Sequence, residues 1–162
     1  MTHPQASTIP APRQGISPTI AQRFVEFHTA SPDVYQALVA LARQWLSNTG
    51  RKKLGIKTLF ERARWELALT TSDPDFKLNN NYAPYYARLV MRQEPDLDGM
   101  FDLRKSEADD WLLNEPVCTT CPHLWLSHRQ DWVDLGPIGR MPEWVCTHPG
   151  CQCIYRWSGE SR

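Results

Sequence analysis

CTTCPHLWLSHRQDWVDLGPIGRMPEWVCTHPGCQC, residues 118–153, holds every cysteine of the chain, Cys118, Cys121, Cys146, Cys151 and Cys153, and three of its five histidines, His123, His128 and His148. Thiolates and imidazoles are the ligands zinc takes in tetrahedral structural sites. Cys118 and Cys121 stand two residues apart, a spacing that brings both sulfurs to one ion from a tight turn. A second turn runs from Cys146 to Cys153, with Pro149 and Gly150 reversing the chain between sulfurs. Residues 143–145 and 154–157, which flank it, have strand character. The stretch predicts a small zinc-ribbon-like module with short β-strands over 117–158, its two cysteine turns facing each other across one structural Zn2+ per chain.

Zinc needs four ligands and the window offers more. Cys118 and Cys121 come first, two or more of Cys146, Cys151 and Cys153 complete the sphere, and His128 is the best substitute. His123 and His148 are expected outside the ligand set. A catalytic zinc would need an open coordination position beside a general base, and neither HExxH nor a deaminase-type HxE with PCxxC occurs in the sequence. Free thiols or a disulfide are the alternative to metal. An odd number of clustered cysteines, with no signal peptide evident, favours reduced thiolates in the cytoplasm.

Composition narrows the rest. Among 162 residues, 18 basic side chains balance 18 acidic ones, which excludes a strongly basic nucleic-acid coat and a polyacidic tail. No run approaches the roughly 20 apolar residues a membrane helix needs, so no membrane partner is expected. Pro4, Pro10, Pro12 and Pro18 make residues 1–22 a disordered arm rather than a targeting segment.

Residues 23–104 read as a compact domain of three to four helices, so the fold class is mainly α. Phe24, Val25 and Phe27 form a short helix or lid, where His28 is expected to be a half-buried structural residue. Ser31 and Pro32 open a helix with Val34, Leu38, Leu41, Ala42, Trp45 and Leu46 on one face, and Asn48 to Gly50 close it. A second helix from Gly55 to Leu69 buries Ile56, Leu59, Phe60, Ala63 and Leu67. Phe76 and Leu78 suggest a brief extended piece before a third helix whose stripe is Tyr82, Tyr85, Tyr86, Leu89 and Val90. A fourth short helix is expected over 97–103. A helix-turn-helix or winged-helix arrangement fits this pattern as well as a plain bundle does. Residues 105–116 form an acidic connector with a short helix; Asp109 and Asp110 there read as surface charge rather than a hard-metal site, and 159–162 is a tail.

Two resemblances accompany this reading. FVEFHTASPDVYQALVALARQW, GIKTLFERARW, FKLNNNYAPYYARLVM and PDLDGMFDLR, within 24–104, together resemble small uncharacterised proteins encoded by bacteriophages and prophages. That family brings no settled activity. The module resembles short zinc fingers of actinobacterial and phage proteins, matching at Cys118, Cys121, His123, His128, Cys146, Cys151, Cys153 and Tyr155. It departs from them at Pro122, where glycine is usual, and in the long insert 129–145.

The expected function is an accessory protein binding DNA or RNA, through the basic residues Arg51, Lys52, Lys53, Lys57, Arg62 and Arg64. The alternative is a protein-interaction adaptor that uses Trp125, Trp132 and Trp144 as anchors. A nuclease or other enzyme has no motif to support it, so catalysis is not expected.

Overall fold

The computed structural model describes residues 17–156. The predicted arm falls mostly outside that range, and so do Trp157 and the 159–162 tail. Five α-helices come first, α1 (Ile20–Ala30), α2 (Pro32–Thr49), α3 (Ile56–Thr70), α4 (Ala83–Gln93) and α5 (Glu107–Asn114). An antiparallel sheet follows, β1 (His128–Asp134), β2 (Arg140–Cys146) and β3 (Ile154–Arg156), in the order β1-β2-β3.

The first helix starts earlier than the sequence suggests. Thr19 and Gln22 form a reciprocal capping box, which fixes the start of α1 at Ile20, inside the stretch expected to be disordered. Ser31 caps α2 by position only, since its side chain makes no capping bond; Pro32 at the first helical position starts the helix instead. Gly50, at φ 65°, ends it in the left-handed conformation.

Four predicted stripes meet in one core. Phe24, Leu38, Phe60, Tyr86 and Leu89 are almost fully buried, with Leu67, Leu97 and Met100 beside them. The Phe24 ring lies against Tyr82, Tyr85, Tyr86 and Trp111. The tyrosine stripe of α4 is therefore core.

Two expectations need correction. Residues 97–103 are not a helix: a single 3-10 turn, Pro95–Leu97, precedes a bend at Gly99, φ 74°, although Leu97, Met100 and Phe101 do pack inward. Phe76 and Leu78 form no strand, and among the described residues none lies between 23 and 104, so the winged form lacks its hairpin. The acidic connector contains the short helix expected there, α5. Within it α5 carries its own capping box, from Ser106 and Asp109, and buries Ala108 and Trp111. Asp109 also receives both Nε (2.6 Å) and Nη2 (2.8 Å) of the buried Arg88, which holds its carboxyl down at about 2.

The insert 129–145 is a β-hairpin. His128 pairs with Cys146 at its base and Asp134 with Arg140 near its tip. Its connection runs through Gly136 (φ 65°) and Gly139 (φ 98°), so two glycines make the reversal in place of a two-residue turn. β2 covers the 143–145 stretch expected to have strand character, whereas proline at 142 and the scarcity of apolar alternation had hidden β1 and the start of β2.

Candidate metal centre

Main-chain bonds, rather than packing, shape the first cysteine turn. Cys118 N–H donates to the His123 carbonyl (3.0 Å) and Trp125 N–H to that of Pro116 (2.7 Å). The loop so formed aims Thr120 N–H at Cys118 Sγ, 3.4 Å away. The second turn leaves β2 at Cys146, whose N–H donates to Cys153 O (3.0 Å), and reverses at Gly150, φ 79°. Thr147 joins the two turns, its N–H and its hydroxyl each donating to Ser127 O at 2.7 Å.

Seven side chains converge between these turns. Cys118, Cys121, His128 and Cys153 form one group and Cys121, His123, Cys146 and Cys151 a second, the donor atoms within each lying no more than 4.8 Å apart. Cys121 belongs to both. All five cysteines are free thiols. Cys118 Sγ is 3.8 Å from Cys153 Sγ, Cys121 Sγ 3.4 Å from His128 Nε2, and Cys146 Sγ 3.3 Å from His123 Nδ1. The edges of a zinc tetrahedron are about 3.8 Å between two thiolates and about 3.5 Å between thiolate and imidazole, given Zn–S of about 2.3 Å and Zn–N of about 2.0–2.1 Å. The groups are positioned to hold a metal ion.

The histidines are set for that role by their other nitrogens. His128 Nδ1–H donates to the Leu124 carbonyl (3.2 Å), which leaves the Nε2 lone pair toward Cys121. Trp125 stacks on the same ring, with centroids 5.1 Å apart. Burial, then the neighbouring His148, lowers the pKa of His123 and favours the neutral imidazole a metal needs. Burial also pushes the Cys146 and Cys153 thiols up to about 12. Cys121 moves up too, for the same first reason, whereas at Cys118 burial is outweighed by donors including Thr120 N–H and the pKa falls. A cation entering here displaces protons, so its affinity rises with pH.

The structure thus brings together all the candidate ligands, Cys118, Cys121, Cys146, Cys151, Cys153 and His128. It adds His123, which was expected outside. His148 does stay outside, stacked on His123 with ring centroids 3.9 Å apart.

Through His148 the cluster reaches the helices. His148 Nε2–H donates to Glu94 Oε1 (2.6 Å), the Tyr35 hydroxyl donates to the same oxygen (2.7 Å), and Arg43 Nη2 donates to Oε2 (2.6 Å). Glu94 is only 2% exposed. Beside it Gln93 Oε1 accepts from Leu124 N–H (3.1 Å) and the Ser127 hydroxyl (2.8 Å), and Leu124 sits in the helical core. Sequence reasoning assigned Glu94 no role and missed this junction. Its available signal was a Gln-Glu pair directly after an apolar helical stripe.

The basic residues are less collected than their sequence density implies. Arg51, Lys52 and Lys53 lie on the exposed loop between α2 and α3, and Lys57, Arg62 and Arg64 on α3. Lys53 pairs with Asp102, Arg62 with Glu66, and Arg64 with Glu61. Arg64 also donates to Leu78 O and Asn80 Oδ1. Arg62 and Arg64 point about 200° apart around the helix, so the six do not share one face.

Compared with protein-family models, curated proteins and solved structures, the chain matches none. Among the described residues no helix is long and apolar enough to cross a membrane.

Proposed function

We propose that this is a zinc-stapled adaptor: a structural zinc centre fixes the β-hairpin to the helical unit, and one aromatic face of that hairpin docks a protein. Zinc is the metal that three thiolates and one imidazole suit, and a group with four protein donors leaves no open position for a substrate or water. A zinc-ribbon-like role for the module follows from the same donor set.

The observation that carries the docking surface is the sheet register. Gln130 pairs with Trp144 and Trp144 with Tyr155, so the period-two alternation puts Trp132, Trp144 and Tyr155 on one face. Trp125 extends that face over the cluster, its ring 6.1 Å from Trp144 and 5.3 Å from Tyr155. Trp132, 57% exposed, stands toward the tip. Tryptophan and tyrosine held rigid in this way are the side chains that anchor protein interfaces. Charge supports the choice of partner: Arg129, Arg140 and Arg156 on the three strands are offset by Asp131, Asp134 and Glu143, which gives no electrostatic footprint for nucleic acid. The setting inferred from the sequence resemblance is a phage or prophage protein in a bacterial cytoplasm.

Nucleic-acid binding is the second reading, carried by Arg51, Lys52 and Lys57, which form no ion pair among the described residues. Capture from nuclease-treated host lysate should retain a defined protein on the wild-type chain, persisting in high salt and lost with Trp132→Ala or Trp144→Ala. A mobility shift that weakens steeply with salt, and weakens further with Lys52→Ala and Lys53→Ala, would overturn the adaptor in favour of DNA or RNA.

A further inference from the structure

We infer that the cluster takes two zinc-class ions rather than one, bridged by the Cys121 thiolate. This rests on the structural-zinc reading above and goes further in stoichiometry and in the role of one sulfur.

The two donor groups are complete separately. Cys118, Cys153 and His128 face Cys121 from one side, and Cys146, Cys151 and His123 face it from the other, three thiols and one imidazole in each case. A single ion would use four of these seven donors and leave three others beside it without function. The distances divide in the same way: 3.8 Å and 3.4 Å belong to the first group and 3.3 Å to the second, each within about 0.2 Å of the tetrahedral edge for its donor pair. Each histidine is held by the environment of its own group, His128 by Leu124 O and Trp125, His123 by the stacked His148.

Charge supports sharing. Five thiolates carry five negative charges and two divalent ions four positive ones, so the loaded cluster is left with one net negative charge. One ion alone, with all five sulfurs ionised, would leave three negative charges packed in a partly buried space, which favours keeping some thiols protonated. Loading is proton exchange without redox chemistry: each S–H proton leaves to solvent as an S–metal bond forms, up to five protons for two ions. The bridging sulfur forms two such bonds while losing one proton. Bond lengths of about 2.3 Å to a common sulfur hold the ions within about 4.6 Å of each other.

The test uses the full reduced chain. Metal analysis after zinc loading and gel filtration is expected to give two zinc ions per chain, with Cys118→Ser and Cys146→Ser each retaining one. Cadmium-113 NMR of the cadmium-loaded wild type is expected to show two resonances split by mutual coupling through the shared sulfur. One ion per chain, or a single cadmium resonance, overturns the pair while leaving a structural zinc in place. Two uncoupled resonances at two ions per chain overturn the bridge. No retained metal overturns both this inference and the reading it rests on. Wild-type stoichiometry and coupling decide the matter even where a serine variant fails to fold.

Discussion

The helical unit and the metal module reach order by different means. Between Phe24 and Trp111 the chain buries a continuous apolar set, with Phe24, Val34, Leu38, Tyr86, Leu89 and Val90 entirely out of solvent. From Val117 to Arg156 the buried side chains are Cys118, Leu124, Ser127, His128, Cys146 and Cys153, and of these Leu124 belongs to the helical core. What remains buried in the module is Ser127 and four of the candidate metal donors. Hydrophobic burial can order the first region unaided, whereas seven-residue strands with few buried positions cannot stand by themselves. On the proposed reading, coordination takes the place of a core.

The largest effect expected from this difference follows chelation. Structural zinc contributes on the order of 10 kcal/mol to small metal-dependent folds. Stripping the metal should abolish amide protection across 128–156 and expose the hairpin to protease, while α1 to α5 keep theirs. Equal protection of the hairpin with and without metal would break the comparison. The converse experiment is Phe24→Ala, which removes a fully buried ring from the aromatic centre of the helices. It should cost about 3–5 kcal/mol in denaturant unfolding. Metal content at low temperature should be unchanged.

The same difference explains what was legible in the sequence. The stripes of α2, α3 and α4 follow a 3.6-residue period because a helix buries one face, and most of the residues they name are buried, while Leu41, Trp45, Leu46 and Ile56 are half-buried against the core. The cysteine turns are legible for another reason, since ligand spacing is a local constraint. The β1–β2 hairpin was legible only over 143–145: β1 buries nothing beyond His128, so no alternating apolar face marks it. His123 was missed because its place depends on His148 and Cys146, far along the chain. Spacing could suggest that the donors exceed four but not that they sort into two groups around Cys121.

A smaller effect tests how dry the helical core is. Burial lowers the pKa of His28 from 6.5 to about 4, and its Nδ1 has no hydrogen-bond partner. The ring lies against Phe24, Tyr35 and Tyr86. With the folded value depressed, the unfolded chain takes up the proton first as pH falls. Stability is therefore full above about pH 6.5 and is lost toward pH 4, by about 3 kcal/mol in all. His28→Phe should flatten that slope in urea titrations with zinc held saturating, and an unchanged slope would mean that water reaches the ring.

The smallest effect falls at the junction, where the comparison is sharpest. Glu94 is the group through which α2, α4 and the second cysteine turn are tied, by Arg43, Tyr35 and His148. Removing a buried ion's partner can cost about 3–5 kcal/mol. Here the loss is smaller, because Arg43 is 45% exposed and keeps its two bonds to Asp96. What Glu94→Ala strands is the Tyr35 hydroxyl and the His148 ring, which sets the cost at about 2 kcal/mol. Neither donor group includes Glu94, so metal content should hold. The expected signature is selective: hydrogen exchange quickens at 147–151 and along α2 near Tyr35, while Cys118 to His128 keep their protection through Leu124 and Gln93. Uniform loosening of the whole metal module would instead make Glu94 the main fastening between the two regions.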